Sequence, residues 1–314
     1  MNTVGKKLAP VRPVEIIAHR GARTVQDPTR IAPENTIPAF VAAAQQGASN
    51  ETDIFALRHN DSLWIHHDLE TGRVFQLPGQ QKPFHTLTQD ELDSLRLNKK
   101  GHEDTVNKML GPGGTYKTPT RFENVTVPEL ENTLATLPNT HFYVELKVSR
   151  PDLLRTGHHQ LEEKTARLIR EKNLYDQVTV ISFSPCSLRK IKALDPKIKT
   201  GLNFTLPNLV RNNPILLNWF VNQYAKNWVG VNSIHPSYDT LSPKMVELAH
   251  QIAMPVITWV YHETRSEEKK LFPKLLDMGV DGIITNAVDL LNEEVRTHAS
   301  STHPAQATVS FRDL

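Results

Sequence analysis

Glu15-Ile-Ile-Ala-His-Arg20, then Thr36-Ile-Pro-Ala-Phe-Val-Ala-Ala-Ala-Gln-Gln46 stopped by Gly47, then Glu51-Thr-Asp-Ile-Phe-Ala-Leu57 reads as strand, helix, strand. The outer pieces are short apolar runs, whereas the middle piece is longer and ends on a glycine, the residue that closes helices at low steric cost. The pattern then repeats. Further strands are predicted over Phe142–Val148, Val178–Phe183, Thr200–Phe204, Val229–Asn232, Val256–Tyr261 and Gly282–Thr285. Helices are predicted over Glu162–Lys172, Ser187–Ala193, Pro243–Ile252 and Ser266–Met278, the last stopped by Gly279. Repeated β-α units of this kind fit a closed (β/α)8 barrel better than an open doubly wound sheet. Neither a Gly-rich dinucleotide fingerprint nor a phosphate-binding P-loop competes with that reading.

On this basis residues 15–298 form the barrel, preceded by a segment over 1–14 and followed by a polar tail over 299–314 that is expected to be poorly ordered. One connection is too long for a plain unit. Residues 58–141 separate the second and third strands. Ser62–Ile65 is predicted to return as a short extra strand after a turn at Asn60 and Asp61. The remainder, an insertion over 69–126, is rich in Gly, Pro and Lys, with Lys99, Lys100, Lys108 and Lys117. That composition predicts a small, partly mobile cap without a large core of its own. Because loops after barrel strands lie over the C-terminal face, the cap is expected above the site, sorting substrates.

Composition excludes several function classes. The 36 Lys and Arg nearly balance the 34 Asp and Glu, so a net charge of +2 gives no global field that would favour nucleic acid or an anionic membrane. The single cysteine, Cys186, can make neither an internal disulfide nor a Cys-rich zinc site, which fits a reducing, cytoplasmic setting. Met1 to Val14 lacks the apolar stretch of an export signal, and apolar runs such as Pro214 to Val221 are far shorter than the roughly 20 residues a spanning helix needs. Transient contact with a membrane surface remains compatible with this pattern.

Alternation along strands brings the chemistry together. Glu51 and Asp53 share one face of the second strand, while Glu145 and Lys147 share one face of the third. Three carboxylates at one mouth repel one another unless a cation lies among them, and an all-oxygen set suits Mg2+ or Ca2+. The alternative is that these acids are solvated strand ends. His19 ends the first strand beside Arg20 and Gly21, and His66 and His67 lie in the segment Trp64 to Asp68. Histidine gives and takes protons near neutral pH, although a single one is more often structural. Arg20 can bind a phosphate oxygen through its planar fork.

These residues resemble the signature of the glycerophosphodiester phosphodiesterases. The resemblance rests on Ile-Ala-His-Arg-Gly at 17–21, Ala-Pro-Glu-Asn-Thr at 32–36, Gly-Ala at 47–48, Glu-Thr-Asp at 51–53 and Ile-His-His-Asp at 65–68. It continues through Val127-Pro-Glu-Leu, Glu145-Leu-Lys147, Ser182-Phe183, Trp259-Val-Tyr261 and Gly279 to Thr285, in family order from Ile16 to Leu291. The resemblance implies that Glu51, Asp53 and Glu145 hold one divalent cation and that His19 and His67 are acid and base. It implies further that Arg20 and Lys147 bind phosphate, that Glu34 supports the site, and that Trp259 walls the alcohol side; Trp259 as plain barrel core is the other reading.

Three departures stand out. Thr52 replaces the aliphatic residue usual between the metal acids, Leu69 to Arg73 replaces a Thr-rich Arg motif, and the loop between Gly21 and Pro33 is longer than in compact members. The implied reaction is hydrolysis of a glycerophosphodiester to an alcohol and sn-glycerol 3-phosphate. A lysophospholipase D or sphingomyelinase-D-like activity is the rival enzyme reading, and a non-catalytic barrel binding phosphorylated metabolites is the rival of another class.

Overall fold

The structure, a computed structural model, describes residues 13–25, 27–58, 60–148, 160–262 and 264–302. In chain order β1 (Glu15–His19) leads through α1 (Ile37–Ala44) to β2 (Ser49–Ala56), and β3 (Leu63–Ile65) folds back on β2. The insertion holds β4 (Phe75–Gln76), α2 (Gln89–Ser94), β5 (Arg96–Leu97) and α3 (Lys99–Leu110). After α4 (Leu130–Thr136) come β6 (Phe142–Leu146), α5 (Leu161–Glu171), β7 (Val178–Ser182), α6 (Pro185–Leu194) and β8 (Lys199–Phe204). Next, α7 (Asn208–Asn212) and α8 (Pro214–Trp219) run into a π-helix over Phe220–Val229. The chain closes with β9 (Ser233–Pro236), α9 (Pro243–Gln251), β10 (Ile257–Trp259), α10 (Arg265–Asp277), β11 (Gly282–Thr285) and α11 (Val288–Thr302).

The parallel strands follow the order β10-β11-β1-β2-β6-β7-β8-β9. Isolated parallel bridges, Ile234 to Val256 and Ser237 to Trp259, bring β9 back to β10, so the sheet nearly closes into the expected (β/α)8 barrel. Each strand is buried on both faces. Ile17, Tyr143, Ile181, Ile257 and Ile284 fill the interior. Phe142, Ile54, Val144 and Ile283 point outward, where they pack with helix residues such as Phe40 and Phe272. Fully burying one such side chain stabilises by about 1.5–3 kcal/mol. A slip of one residue in β2 would therefore turn Ile54 away from the helices into the barrel interior and bury Glu51 and Asp53 in the helix layer.

Several expectations need correction. The predicted strand over Val229–Asn232 is instead the end of the π-helix and its exit turn, with Gly230 at φ 78°. The strand there is Ser233–Pro236, whose Ser, His and Pro carry little β propensity. The insertion also has an apolar layer, because Phe75, Phe84, Leu87, Leu92, Leu95 and Leu97 pack with Phe55 and Leu57 from the end of β2. Its helix α3 adds Val106, which joins Ala22, Ile31 and Tyr116 around the loop after β1. Helix α11 carries on to Thr302, into the stretch expected to be a tail; residues 303–314, like 1–12, lie outside the described residues.

Candidate active site

Every strand that brings a charged group to the C-terminal face does so by register. In the parallel ladders His19 stands opposite Glu51, and Asp53 opposite Glu145. Glu51, Asp53 and Glu145 each offer an oxygen within 4.8 Å of the others. Lys147, just past β6, reaches both Asp53 Oδ1 at 2.8 Å and Glu145 Oε1 at 2.7 Å. The acids and the lysine predicted to share one mouth do share it. They line a cavity of about 240 Å3 together with His19, Arg20, His67, Phe183, Asn203, Trp259 and Tyr261.

The corner after β1 is built with little slack. Arg20 has φ 60° and Gly21 φ 81°, so two left-handed residues turn the chain sharply. A Cβ on Gly21 would sit 2.7 Å from the Ala39 carbonyl carbon, which excludes a larger residue. The turn lets the Arg20 backbone N–H donate to Glu51 Oε2 at 3.0 Å while its side chain donates to Glu34 Oε1 at 2.9 Å. Arg20 Nε lies 3.3 Å from Asp53 Oδ2, near enough for charge attraction but not aligned as a hydrogen bond. Asn35 holds the other side of Asp53, donating from Nδ2 to Oδ2 at 2.8 Å, and its carbonyl accepts from Thr52 at 3.0 Å. Thr52, the odd residue between the acids, is thus part of the scaffold that orients Asp53.

The two histidines are each tied back through Nδ1. His19 Nδ1 is 2.8 Å from Asn286 Oδ1, and the amide of Asn286 is fixed because its Nδ2 donates to Glu268 at 2.6 Å. An acceptor oxygen therefore faces the ring, so Nδ1 carries the proton and Nε2 is the free base. Burial first, then the charges of Arg20 and Arg23, hold His19 well below its ordinary pKa. His67 Nδ1 lies 2.8 Å from Asp68 Oδ1, a carboxylate that accepts from the ring and fixes its orientation. Burial opposes ionisation of Asp68, but the bond from His67 and the charge of Arg73 overcome it and hold its carboxyl at about 2.

Behind these groups Glu34 collects three guanidinium groups, from Arg20, Arg23 and Arg73. Burial penalises its charge, yet the arginines outweigh that cost and keep its carboxyl well below the usual range. For Glu51 the balance runs the other way: burial, then Asp53 and Glu145, push its carboxyl well above the usual range. A buried all-oxygen cluster that cannot ionise fully without more positive charge fits a hard divalent cation.

All nine residues singled out in the sequence thus meet here, with Glu34 one layer behind the cavity. Trp259 is a wall residue, its Nε1 donating to the His235 carbonyl at 3.0 Å and its ring 5.6 Å from that of Phe183. His66, the neighbour of His67, points away and stacks on Phe84 at 4.2 Å. Asn286, Asn203, Arg23, Arg73 and Asp68 had been given no role. Asn286 and Asn203 were findable, since both follow the strand-end rule that picked out Glu51. No described residue of the insertion lines the cavity.

Comparisons with known proteins give the family and the fold. The model of the glycerophosphoryl diester phosphodiesterase family matches residues 19–290. A glycerophosphodiester phosphodiesterase of Caldanaerobacter subterraneus subsp. tengcongensis is 26% identical over 282 residues, 90% of this chain and 97% of its own. Among solved structures, a glycerophosphodiester phosphodiesterase from Agrobacterium tumefaciens superposes with a TM-score of 0.62 at 21% identity, covering 89% of this chain and 99% of its own. An Oleispira antarctica phosphodiesterase in complex with the product sn-glycerol-3-phosphate gives 0.63 at 18% identity, covering 91% and 96%. At these identities the two structures speak for the fold.

Proposed function

Since the chain belongs to the glycerophosphoryl diester phosphodiesterase family, we propose that it hydrolyses glycerophosphodiesters to an alcohol and sn-glycerol 3-phosphate with His19 and His67 as base and acid. One observation carries the assignment of roles. His19 is tied through Nδ1 to an amide oxygen, which leaves Nε2 as a proton acceptor, and His67 is oriented through Nδ1 by the Asp68 carboxylate across the same cavity, which leaves it the complementary role of acid. His19 Nε2 takes the proton of the attacking hydroxyl as its oxygen bonds to phosphorus. The bond from phosphorus to the departing alcohol breaks, and His67 protonates that oxygen.

Arg20 and Lys147 face the cavity as cations and would bind the phosphate oxygens as charge builds on them. Glu34 keeps Arg20 extended toward the site. Glu51, Asp53 and Glu145 would hold Mg2+ or Ca2+, which supplies further charge neutralisation at the phosphate. Trp259 and Phe183 wall the side where the alcohol lies. A cavity of about 240 Å3 suits glycerol, phosphate and a compact head group rather than an acyl chain.

The test is incubation of the pure protein with glycerophosphocholine, glycerophosphoethanolamine, glycerophosphoglycerol and a lysophospholipid, reading sn-glycerol 3-phosphate and lysophosphatidate. Chelation should abolish turnover, and Mg2+ or Ca2+ should restore it. Full activity in protein shown metal-free by elemental analysis would overturn the cation requirement, and release of lysophosphatidate alone would overturn the substrate class.

A further inference from the structure

From Pro196 to Tyr238 the chain carries no Asp or Glu, although acids number 34 in its 314 residues. The helices between β8 and β9 therefore carry positive charge only, from Arg211 and Lys226. The same segment leaves large apolar side chains in the open. Leu209 is 73% exposed, Ile215 78% and Trp219 55%. Single exposed apolar residues are ordinary, but three within two consecutive short helices, with no acid among them, form a patch of the kind that marks an interaction surface.

The patch sits beside the mouth of the site. Helix α7 begins just beyond the C-terminal end of β8, on the face where the catalytic groups lie. Arg211 donates to the backbone carbonyl of Asp239, whose carboxylate accepts from the Tyr261 hydroxyl at 2.9 Å. Tyr261 lines the catalytic cavity and is half exposed, as is Phe183. An apolar and aromatic edge thus runs from the cavity wall to α7 and α8.

We propose that Leu209, Ile215 and Trp219, with Arg211 between the first two and Lys226 further along the π-helix, are a docking surface for a lipid bilayer bearing anionic headgroups. A surface helix with an apolar edge, an interfacial tryptophan and only positive charge is matched to such a bilayer in both respects. A second copy of the chain fits less well, because a two-fold pairing of this patch would set Arg211 and Lys226 against their own images. The near-zero net charge of the whole chain hides this local imbalance. The purpose of docking rests on the function proposed above: glycerophosphodiesters arise when both acyl chains are removed from a phospholipid, a reaction that takes place at a bilayer. The docking itself does not depend on that reading.

The experiment is co-sedimentation of the full chain with vesicles of phosphatidylcholine alone and of phosphatidylcholine with phosphatidylglycerol, at low and high salt. Binding to the anionic vesicles is expected, weakened by salt. The combined variant Leu209→Ser, Ile215→Asn, Trp219→Gln should lose that binding by about tenfold or more while hydrolysing dissolved glycerophosphocholine as the parent does. A second variant, Lys226→Gln, should reduce the preference for anionic vesicles. The idea is overturned if the parent stays in the supernatant with both vesicles, or if the triple variant binds as well as the parent. It is equally overturned if sedimentation velocity shows a parent dimer that the triple variant makes monomeric. Since binding is read without substrate, an absence of hydrolysis would count against the proposed function and leave this result readable.

Discussion

His66 and His67 are adjacent, yet the strand rule that turns neighbours to opposite sides gives them different work. His66 is buried, stacks on Phe84, and lies 3.4 Å from the Glu70 carbonyl, so its loss should cost stability. His67 lines the cavity. Replacing His67 with Ala should lower kcat by about 100-fold or more, the scale of acid-base catalysis, whereas His66→Ala should lower the urea midpoint and leave turnover within a few-fold. Equal losses of turnover in two folded variants would refute the assignment. Arg73 carries the same argument one residue further. Its guanidinium donates to Asp68 Oδ2 at 2.8 Å and to Glu34 Oε1 at 2.6 Å, so a planar fork locks the carboxylate that orients His67. Arg73→Lys cannot span both. It should lower kcat/KM on the order of tenfold, with the loss in kcat, because one ammonium group cannot hold both carboxylates and the one that orients His67 is released. An unchanged kcat with lower stability would make Arg73 only structural.

At the scale of elements, the insertion changes meaning once its packing is known. Gly79 to Pro119 contains Phe84, Leu87, Leu92, Leu95 and Leu97, which cover Phe55 and Leu57 at the end of the strand that supplies Glu51 and Asp53. Replacing that span with a short Gly-Ser linker should therefore unfold the chain or lower its melting temperature by more than about 10 °C, since several large apolar side chains lose their cover. A stable, active deletion variant with an unchanged substrate ranking would show the insertion to be decoration. Composition misled here because Gly, Pro and Lys dominate the loops between small elements, whereas the apolar residues that matter are scattered and find their partners only in three dimensions. The strands that bring the charged groups together were legible for the opposite reason. Alternation fixes which side chains share a face, and the ends of β1, β2 and β6 carry their chemistry at that spacing. Asn286 obeys the same rule one residue past β11, but an amide carries no charge to draw attention. The sixth barrel strand was misplaced because Val229 and Val231 flank a helix end, while Ser233 to Pro236 forms the strand with poor β formers held by register to β8.

For the whole molecule the buried histidines set how stability responds to acid. Burial alone lowers His235 to about 3 inside the barrel, beside Ser233 at 2.8 Å. Burial likewise lowers His66 and His102 to about 4. All three take up a proton near the ordinary value of 6.5 when the chain unfolds. Below that value the unfolded chain binds protons that the native state refuses, so stability is full above it and falls with falling pH until the native values are reached. Each histidine contributes about 1.4 kcal/mol per pH unit inside that window. Two carboxylates act in a lower one: Glu34 and Asp68 have depressed native values, so their contribution is present above the ordinary carboxylate range and is lost only as pH falls through it, whereas the raised carboxyls of Glu51 and Glu268 take up protons in the native state and offset part of the histidine slope. The two windows can be separated by experiment. Urea midpoints should decline steadily from about pH 6.5 to pH 5, before the carboxylates of the unfolded chain take up many protons. The double variant His102→Gln, His235→Gln should clearly reduce that slope without abolishing it, since His66, His19 and His141 are also held below the ordinary value. A midpoint flat from pH 7 to pH 5 in the parent, or a slope unaltered in the double variant, would show that these histidines are not held neutral by burial.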